Sequence, residues 1–69
     1  MQTLRTSEQL RRARYDLQWT QDALAKRARV SVAVVKRLEL LEGPLDRGAK
    51  IESIRALQVA LEKAGASFA

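Results

Sequence analysis

The chain of 69 residues lacks cysteine and histidine, and it contains only one proline and three glycines. The missing cysteines exclude disulfides, and the lack of both residue types excludes the usual structural zinc site. A core in a domain of this length supplies a net stability of about 3–5 kcal/mol, so small domains often add such staples. We therefore expect no metal and no cofactor, and stability from tight helix packing or from a second copy.

Long apolar stretches are also absent. The longest uninterrupted apolar run is Val32–Val35, whereas a membrane-spanning helix needs about 20 such residues. The first residues contain no apolar segment typical of a secretory signal. We therefore expect no membrane partner and take the cytoplasm as the default location. Because 46% of the residues are hydrophobic, the chain is too apolar to be wholly disordered.

Residue patterns typical of catalysis are scarce. Without histidine or cysteine, the remaining candidates are scattered carboxylates such as Asp16, Asp22 and Asp46. The three glycines do not have the spacing of a phosphate-binding loop. The chain is also too short to enclose a sizeable pocket. The sequence therefore predicts that the protein is not an enzyme.

Positive charge is abundant by comparison. Thirteen Lys and Arg residues against eight Asp and Glu residues give a formal net charge of +5. On a small domain such a balance indicates an acidic partner, most often nucleic acid. Net charge alone is a weak indication, because many basic domains bind nothing anionic.

The spacing of the apolar residues predicts helices and no strand. It favours one domain over residues 1–69, with helices at 7–17, 21–28, 32–41 and 49–64. The core is predicted from the apolar stripes of these helices, with Trp19 between the first two. Its members are Leu10, Leu17, Leu24, Val35, Leu38, Ile54 and Leu61, and Ile51 and Leu57 continue the stripe of the last helix.

Hydroxyl residues mark where three of the helices begin. Thr6 and Gln9 match a capping box, with Ser7 as a competing cap. Thr20 and Ser31 are predicted N-caps of the second and third helices.

The helix ends are predicted from glycine and proline. Gly43-Pro44 is predicted to end the third helix, with Gly43 at the C′ position, and residues 45–48 then form a loop. Gly65 is predicted to end the last helix, which an alternative cap at Ser53 would divide.

The second and third helices are separated by three residues, which is typical of a helix-turn-helix unit. Ala25 is small enough to lie where the two helices meet. The apolar residues that can face the core are Leu24, Ala28, Val30, Val35 and Leu38. The third helix then keeps a solvent face that can enter a DNA major groove.

A string of residues within 9–41 carries a family resemblance. Its members are Leu10, Ala13, Arg14, Leu17, Trp19, Thr20, Gln21, Leu24, Ala25, Ala28, Val30, Ser31, Val35, Leu38 and Glu39. This string resembles the Cro and phage-repressor (XRE-like) helix-turn-helix regulators, and residues 60–65 with Phe68 resemble the ending of short bacterial members. The resemblance implies a lambda-repressor-like, all-α bundle of four to five short helices that binds double-stranded DNA.

The resemblance also implies roles for single residues. Gln21 matches a phosphate contact, and Arg14 and Glu39 match a salt bridge between the first and third helices. Val32, Ala33, Lys36 and Arg37 match positions that reach base edges or flanking phosphates. Arg29 and Arg47 flank this helix and are assigned to phosphates. The complete DNA-contact set is Thr20, Gln21, Arg29, Ser31, Val32, Ala33, Lys36, Arg37 and Arg47.

The chain departs from the family pattern at three places. Arg29 stands where the family usually has a left-handed glycine, which costs a non-glycine residue about 1 kcal/mol. Val32–Val34 replaces the usual polar readers, and such side chains can contact a thymine methyl but cannot form bidentate hydrogen bonds. Lys36 and Arg37 remain as the main polar readers. The loop after Glu39 is longer than in many members.

The sequence therefore predicts a DNA-binding transcriptional regulator, more specifically a repressor, that acts as a homodimer. Two copies would bind half-sites about one helical turn apart. Their contact is predicted to use Leu57, Leu61 and Phe68. The alternative is a protein-binding helix-turn-helix, an antiactivator or antitoxin, that uses the apolar Val32–Val34 face to bind its partner.

Overall fold

The computed structural model describes residues 3–66, and within this range it contains α-helices and no strand. The helices are α1 (Ser7–Asp16), α2 (Gln21–Ala28), α3 (Val32–Leu40) and α4 (Ile51–Lys63), with a 3₁₀ turn at Leu45–Arg47. The predicted all-helical class is confirmed. Among the described residues, no helix has the length and apolar character needed to cross a membrane.

The three predicted hydroxyl caps are confirmed. Thr6 accepts a hydrogen bond from the Gln9 backbone, and the Gln9 side chain accepts one from the Thr6 backbone, which completes the capping box. Thr20 and Ser31 each accept the backbone N–H three residues later, at 3.0 and 3.3 Å. Ser7 is the first residue of α1 and does not cap it.

The helix ends differ more from the prediction than the starts do. Helix α3 ends at Leu40 with an extended Leu41 as its cap, so Gly43 lies beyond the C′ position. The predicted loop 45–48 contains the 3₁₀ turn, in which Leu45 is fully buried. Helix α4 begins at Ile51 and continues through Ser53, so the divided alternative is wrong.

Arg29 adopts the left-handed conformation that was expected for it, with φ 59°. The Val30 amide then donates to the Ala25 carbonyl at 3.0 Å, which closes the end of α2. Gln18, with φ 57°, closes α1 in the same way, and its conformation was not predicted. Both residues therefore carry the steric strain of a non-glycine side chain in the left-handed region.

The core lies where α2 packs against α3 and α4 and where α1 packs against α3. Its largest fully buried side chains are Leu10, Leu24, Leu38, Leu45, Leu57, Leu61 and Val35. Leu17 and Trp19 are half-buried against it, whereas Ile51, predicted in the buried stripe, is 64% exposed. Ile51 begins α4 beyond the edge of the packed core, so its helical spacing does not bury it.

An N-terminal arm, residues 3–5, joins the bundle although it has no helical pattern. Leu4 is buried, and its amide donates to the side chain of Gln58 on α4 at 3.0 Å. The Leu45 amide donates to the Arg5 carbonyl at 2.8 Å. These bonds hold the arm, the 3₁₀ turn and α4 together.

Candidate nucleic-acid interface

Helix α3 has a buried face and an open face. Val35, Leu38 and Glu39 are buried. Ala33, Lys36, Arg37 and Leu40 are exposed, and their spacing of i, i+3, i+4 and i+7 places them on one stripe. We call this stripe the recognition face. It contains two cations and no carboxylate.

The Arg14–Glu39 pair holds α3 against α1. Arg14 donates from Nε to Glu39 Oε2 at 2.6 Å and from Nη2 to Oε1 at 2.8 Å, and both side chains are buried. Arg14 Nη1 also donates to the Trp19 carbonyl at 3.0 Å, so the guanidinium joins α1, α3 and the α1–α2 turn. The hydrogen bond to Glu39 raises the pKa of Arg14 despite the opposing effect of burial. Among residues 3–66 this is the one ion pair within 4 Å.

The predicted DNA contacts at the starts of α2 and α3 already have partners within the chain. Gln21 is half-buried, and its Nε2 donates to Glu39 Oε1 at 3.1 Å. This bond fixes the side-chain amide beside the buried pair. Thr20 and Ser31 are exposed, but their hydroxyls accept the capping bonds of α2 and α3. A phosphate contact from these hydroxyls would use their O–H as donor.

Arg37 is exposed, yet its position is set by the loop that precedes α4. Its Nε donates to the Gly48 carbonyl at 3.0 Å. Gly48 packs so closely that an added Cβ would lie 3.0 Å from Leu41 Cδ2 and 3.2 Å from Leu38 Cδ2. The absent side chain therefore lets the loop approach α3 and present a carbonyl to Arg37. Within residues 3–66 the two terminal nitrogens of Arg37 have no hydrogen-bond partner and can serve as donors to a ligand.

The apolar start of α3 is less open than expected. Val32 and Val34 are half-buried and pack against the core, and of the three residues only Ala33 is exposed. The expected Val32–Val34 docking face is therefore corrected, because the rotation of α3 that buries Val35 and Leu38 also turns both valines partly inward. Arg29 and Arg47 are exposed in the two segments that flank α3.

The expected dimer residues on α4 need a similar correction. Leu57 and Leu61 are each 0% exposed within a single chain, because they fill the core beneath α4. Their side chains are not available to a second copy. Phe68, the third residue of that set, lies outside the described residues.

Two exposed apolar residues, Leu40 on the recognition face and Tyr15 on α1, were not predicted as functional. Leu40 is 81% exposed and Tyr15 is 62% exposed, and both border a shallow groove of about 680 Å³ between α1 and α3. Arg11, Lys36 and Gln21 line the same groove. The signal for Leu40 was present in the sequence, since it follows Ala33 and Lys36 at helical spacing.

No family model, curated protein or solved structure matches the chain. The part of the chain that the structure describes contains no cluster of three or more residues suited to hold a metal ion.

Proposed function

We propose that the protein is a sequence-specific DNA-binding transcriptional regulator in which α3 enters the major groove. The observation that carries this proposal is the charge on the recognition face. Lys36 and Arg37 are exposed there, and the single acidic residue of α3, Glu39, is buried and neutralised by Arg14. A helix surface with cations and no competing carboxylate is suited to the negative potential of DNA.

The surroundings of α3 support the same proposal. Arg29 lies in the turn before α3 and Arg47 in the 3₁₀ turn after it, and both are exposed, so both can contact phosphates that flank a groove. Ala33 is small enough to approach a thymine methyl. The bidentate Arg14–Glu39 pair fixes α3 to α1, which presents the recognition face on a rigid base.

In the proposed mechanism, Lys36 and Arg37 contact base edges or adjacent phosphates, and Arg29 and Arg47 fix the register on the backbone. One small module buries little surface on DNA, so two copies would occupy two half-sites. A regulator of this size that covers promoter DNA would act as a repressor by excluding other proteins from the same sites.

The test is a footprint on the DNA upstream of the gene, followed by titration of the protected duplex at increasing salt. If Lys36, Arg37, Arg29 and Arg47 all neutralise phosphates, the log–log slope of affinity against salt should be about −3 to −4 per copy. Lys63→Ala, which removes an exposed cation at the end of α4, is the control and should leave affinity unchanged. Absence of binding even at low salt would contradict the proposal.

A second candidate function is a protein-binding module, and a specific observation favours it. Tyr15 and Leu40 expose apolar surface beside Arg11 and Lys36, which fits a partner that combines apolar and acidic side chains. Tyr15→Ser distinguishes the candidates, because Tyr15 lies on α1 and outside the recognition face. It should abolish binding to such a partner, whereas DNA affinity, which depends on the cations, should change little.

A further inference from the structure

The largest exposed apolar side chains of α4 border a groove that the proposed DNA contact does not use. The groove has a volume of about 510 Å³ and lies between α4, the N-terminal arm and the 3₁₀ turn. Ile51 and Val59, which are 64% and 42% exposed, stand at its α4 edge. Leu4 and Leu45 form its buried floor.

The walls of this groove are held in place by the chain itself. The Leu4 amide is bonded to Gln58 of α4, and the Leu45 amide is bonded to the Arg5 carbonyl. A rigid apolar groove avoids the ordering cost that a flexible loop would add on binding. Exposed apolar rims over such a floor are typical of a contact surface.

Charge in the groove indicates which partner it fits. Three exposed charged residues line the groove, namely Asp46, Arg5 and Arg55, and within residues 3–66 none of them has an ion-pair partner. In a two-fold symmetric contact the same patch occurs on both copies, so every complementary pair forms twice. A second copy therefore offers an Asp46 for each Arg55, together with an apolar rim for each apolar groove.

We infer that this groove is the surface through which two copies of the chain assemble. Ile51 and Val59 of one copy pack over the groove of the other, and Arg55 of each copy pairs with Asp46 of the second copy. This contact takes the place of the predicted one through Leu57 and Leu61, because the side chains of those two residues are buried in the core of each copy. This inference rests on the dimer of the proposed function and names its surface, and its test uses no DNA.

The first experiment is sedimentation equilibrium of the full chain from micromolar to millimolar concentration. The expected result is a monomer–dimer equilibrium that Ile51→Glu and Val59→Glu each weaken by about tenfold or more, because each replaces apolar packing with a charge that the contact would have to bury. Leu40→Glu is the matched control, since it makes the same kind of change at an exposed apolar residue on α3 and should leave dimerisation unchanged.

The second experiment exchanges charges across the contact. Asp46→Arg and Arg55→Asp should each weaken the dimer by about tenfold, because each places like charges opposite one another. The double variant restores opposite charges and should recover dimerisation. Circular dichroism checks that every variant keeps its helices, and both changed positions are exposed in the single chain.

A wild-type chain that stays monomeric at millimolar concentration would overturn the inference and leave DNA binding by a monomer intact. So would a dimer that Leu40→Glu disrupts while Ile51→Glu does not, since the copies would then meet through α3. Failure of the double charge variant to recover the dimer would overturn the Arg55–Asp46 pairing. Loss of DNA binding in a chain that still dimerises would count only against the proposed function.

Discussion

The inner face of α3 carries a carboxylate, while its outer face carries two cations, and the surroundings of these charges differ. Glu39 is buried and receives hydrogen bonds from Arg14 and Gln21. Lys36 and Arg37 are exposed and have no carboxylate partner among the described residues. Buried charge is costly unless it is paired, whereas exposed charge costs little and remains available to a ligand. The comparison predicts that the inner face controls stability and the outer face controls binding.

The largest expected effect comes from breaking the inner pair. Glu39→Ala leaves the Arg14 guanidinium buried without its carboxylate and should lower the free energy of unfolding by about 3–5 kcal/mol. That loss is comparable to the whole stability of a domain of this size. In a urea titration, much of the variant should therefore already be unfolded before urea is added. Arg12→Ala, an exposed change on the same helix as Arg14, should alter stability by less than about 0.5 kcal/mol. Equal stability of the two variants would contradict the prediction that the inner face of α3 controls stability.

An intermediate effect is expected on the outer face. Arg37→Ala and Lys36→Ala should each weaken specific DNA binding by about 1–3 kcal/mol, measured by titration of the footprinted duplex at fixed salt. The melting temperature of Lys36→Ala should stay near that of the wild type. Arg37→Ala also removes the bond to the Gly48 carbonyl, so a small loss of stability is expected as well. If either change left affinity untouched, that residue would be removed from the proposed DNA contact.

The smallest effect concerns the turn that precedes α3. Arg29→Gly relieves the strain of a left-handed arginine and should raise the free energy of unfolding by about 0.5–1 kcal/mol. The same change also removes a cation beside α3 and should therefore lower DNA affinity. Gln18→Gly is the matched control, because it relieves similar strain at φ 57° without removing charge. A decrease in stability for both variants would contradict the strain argument.

The parts of the fold that depend on neighbouring residues were predictable from the sequence. Thr6, Thr20 and Ser31 cap helices because a hydroxyl bonds a backbone amide three residues away, and that spacing is visible in the chain. Leu10, Leu24 and Leu38 are buried because helical spacing places each of them on the apolar face of its own helix. The left-handed Arg29 was expected through the family resemblance, whereas Gln18 offered no comparable signal.

Features that depend on distant contacts could not be read in the same way. Leu4 and Leu45 join the core from segments without helical periodicity, because the Arg5 carbonyl and the Leu45 amide bond to each other across 40 positions of the chain. Spacing identified Ile51 and Leu57 as members of one stripe, but it could not show that the core ends between them. Arg37 is oriented by the backbone carbonyl of Gly48. A backbone contact of this kind leaves no residue type in the sequence from which it could be predicted.

Gly48 also has a consequence for how the protein tolerates mutation. It lies in a connecting segment, where substitutions are ordinarily accepted. The two leucine methyl groups that an added Cβ would meet would have to shift by a few tenths of an ångström, although the backbone conformation of Gly48 is open to any residue. A mutational scan should therefore find position 48 less tolerant of substitution than the exposed positions of the same segment. A library meant to alter the proposed DNA contact by varying the loop should leave this position unchanged, because its variants would disturb packing and the placement of Arg37 together.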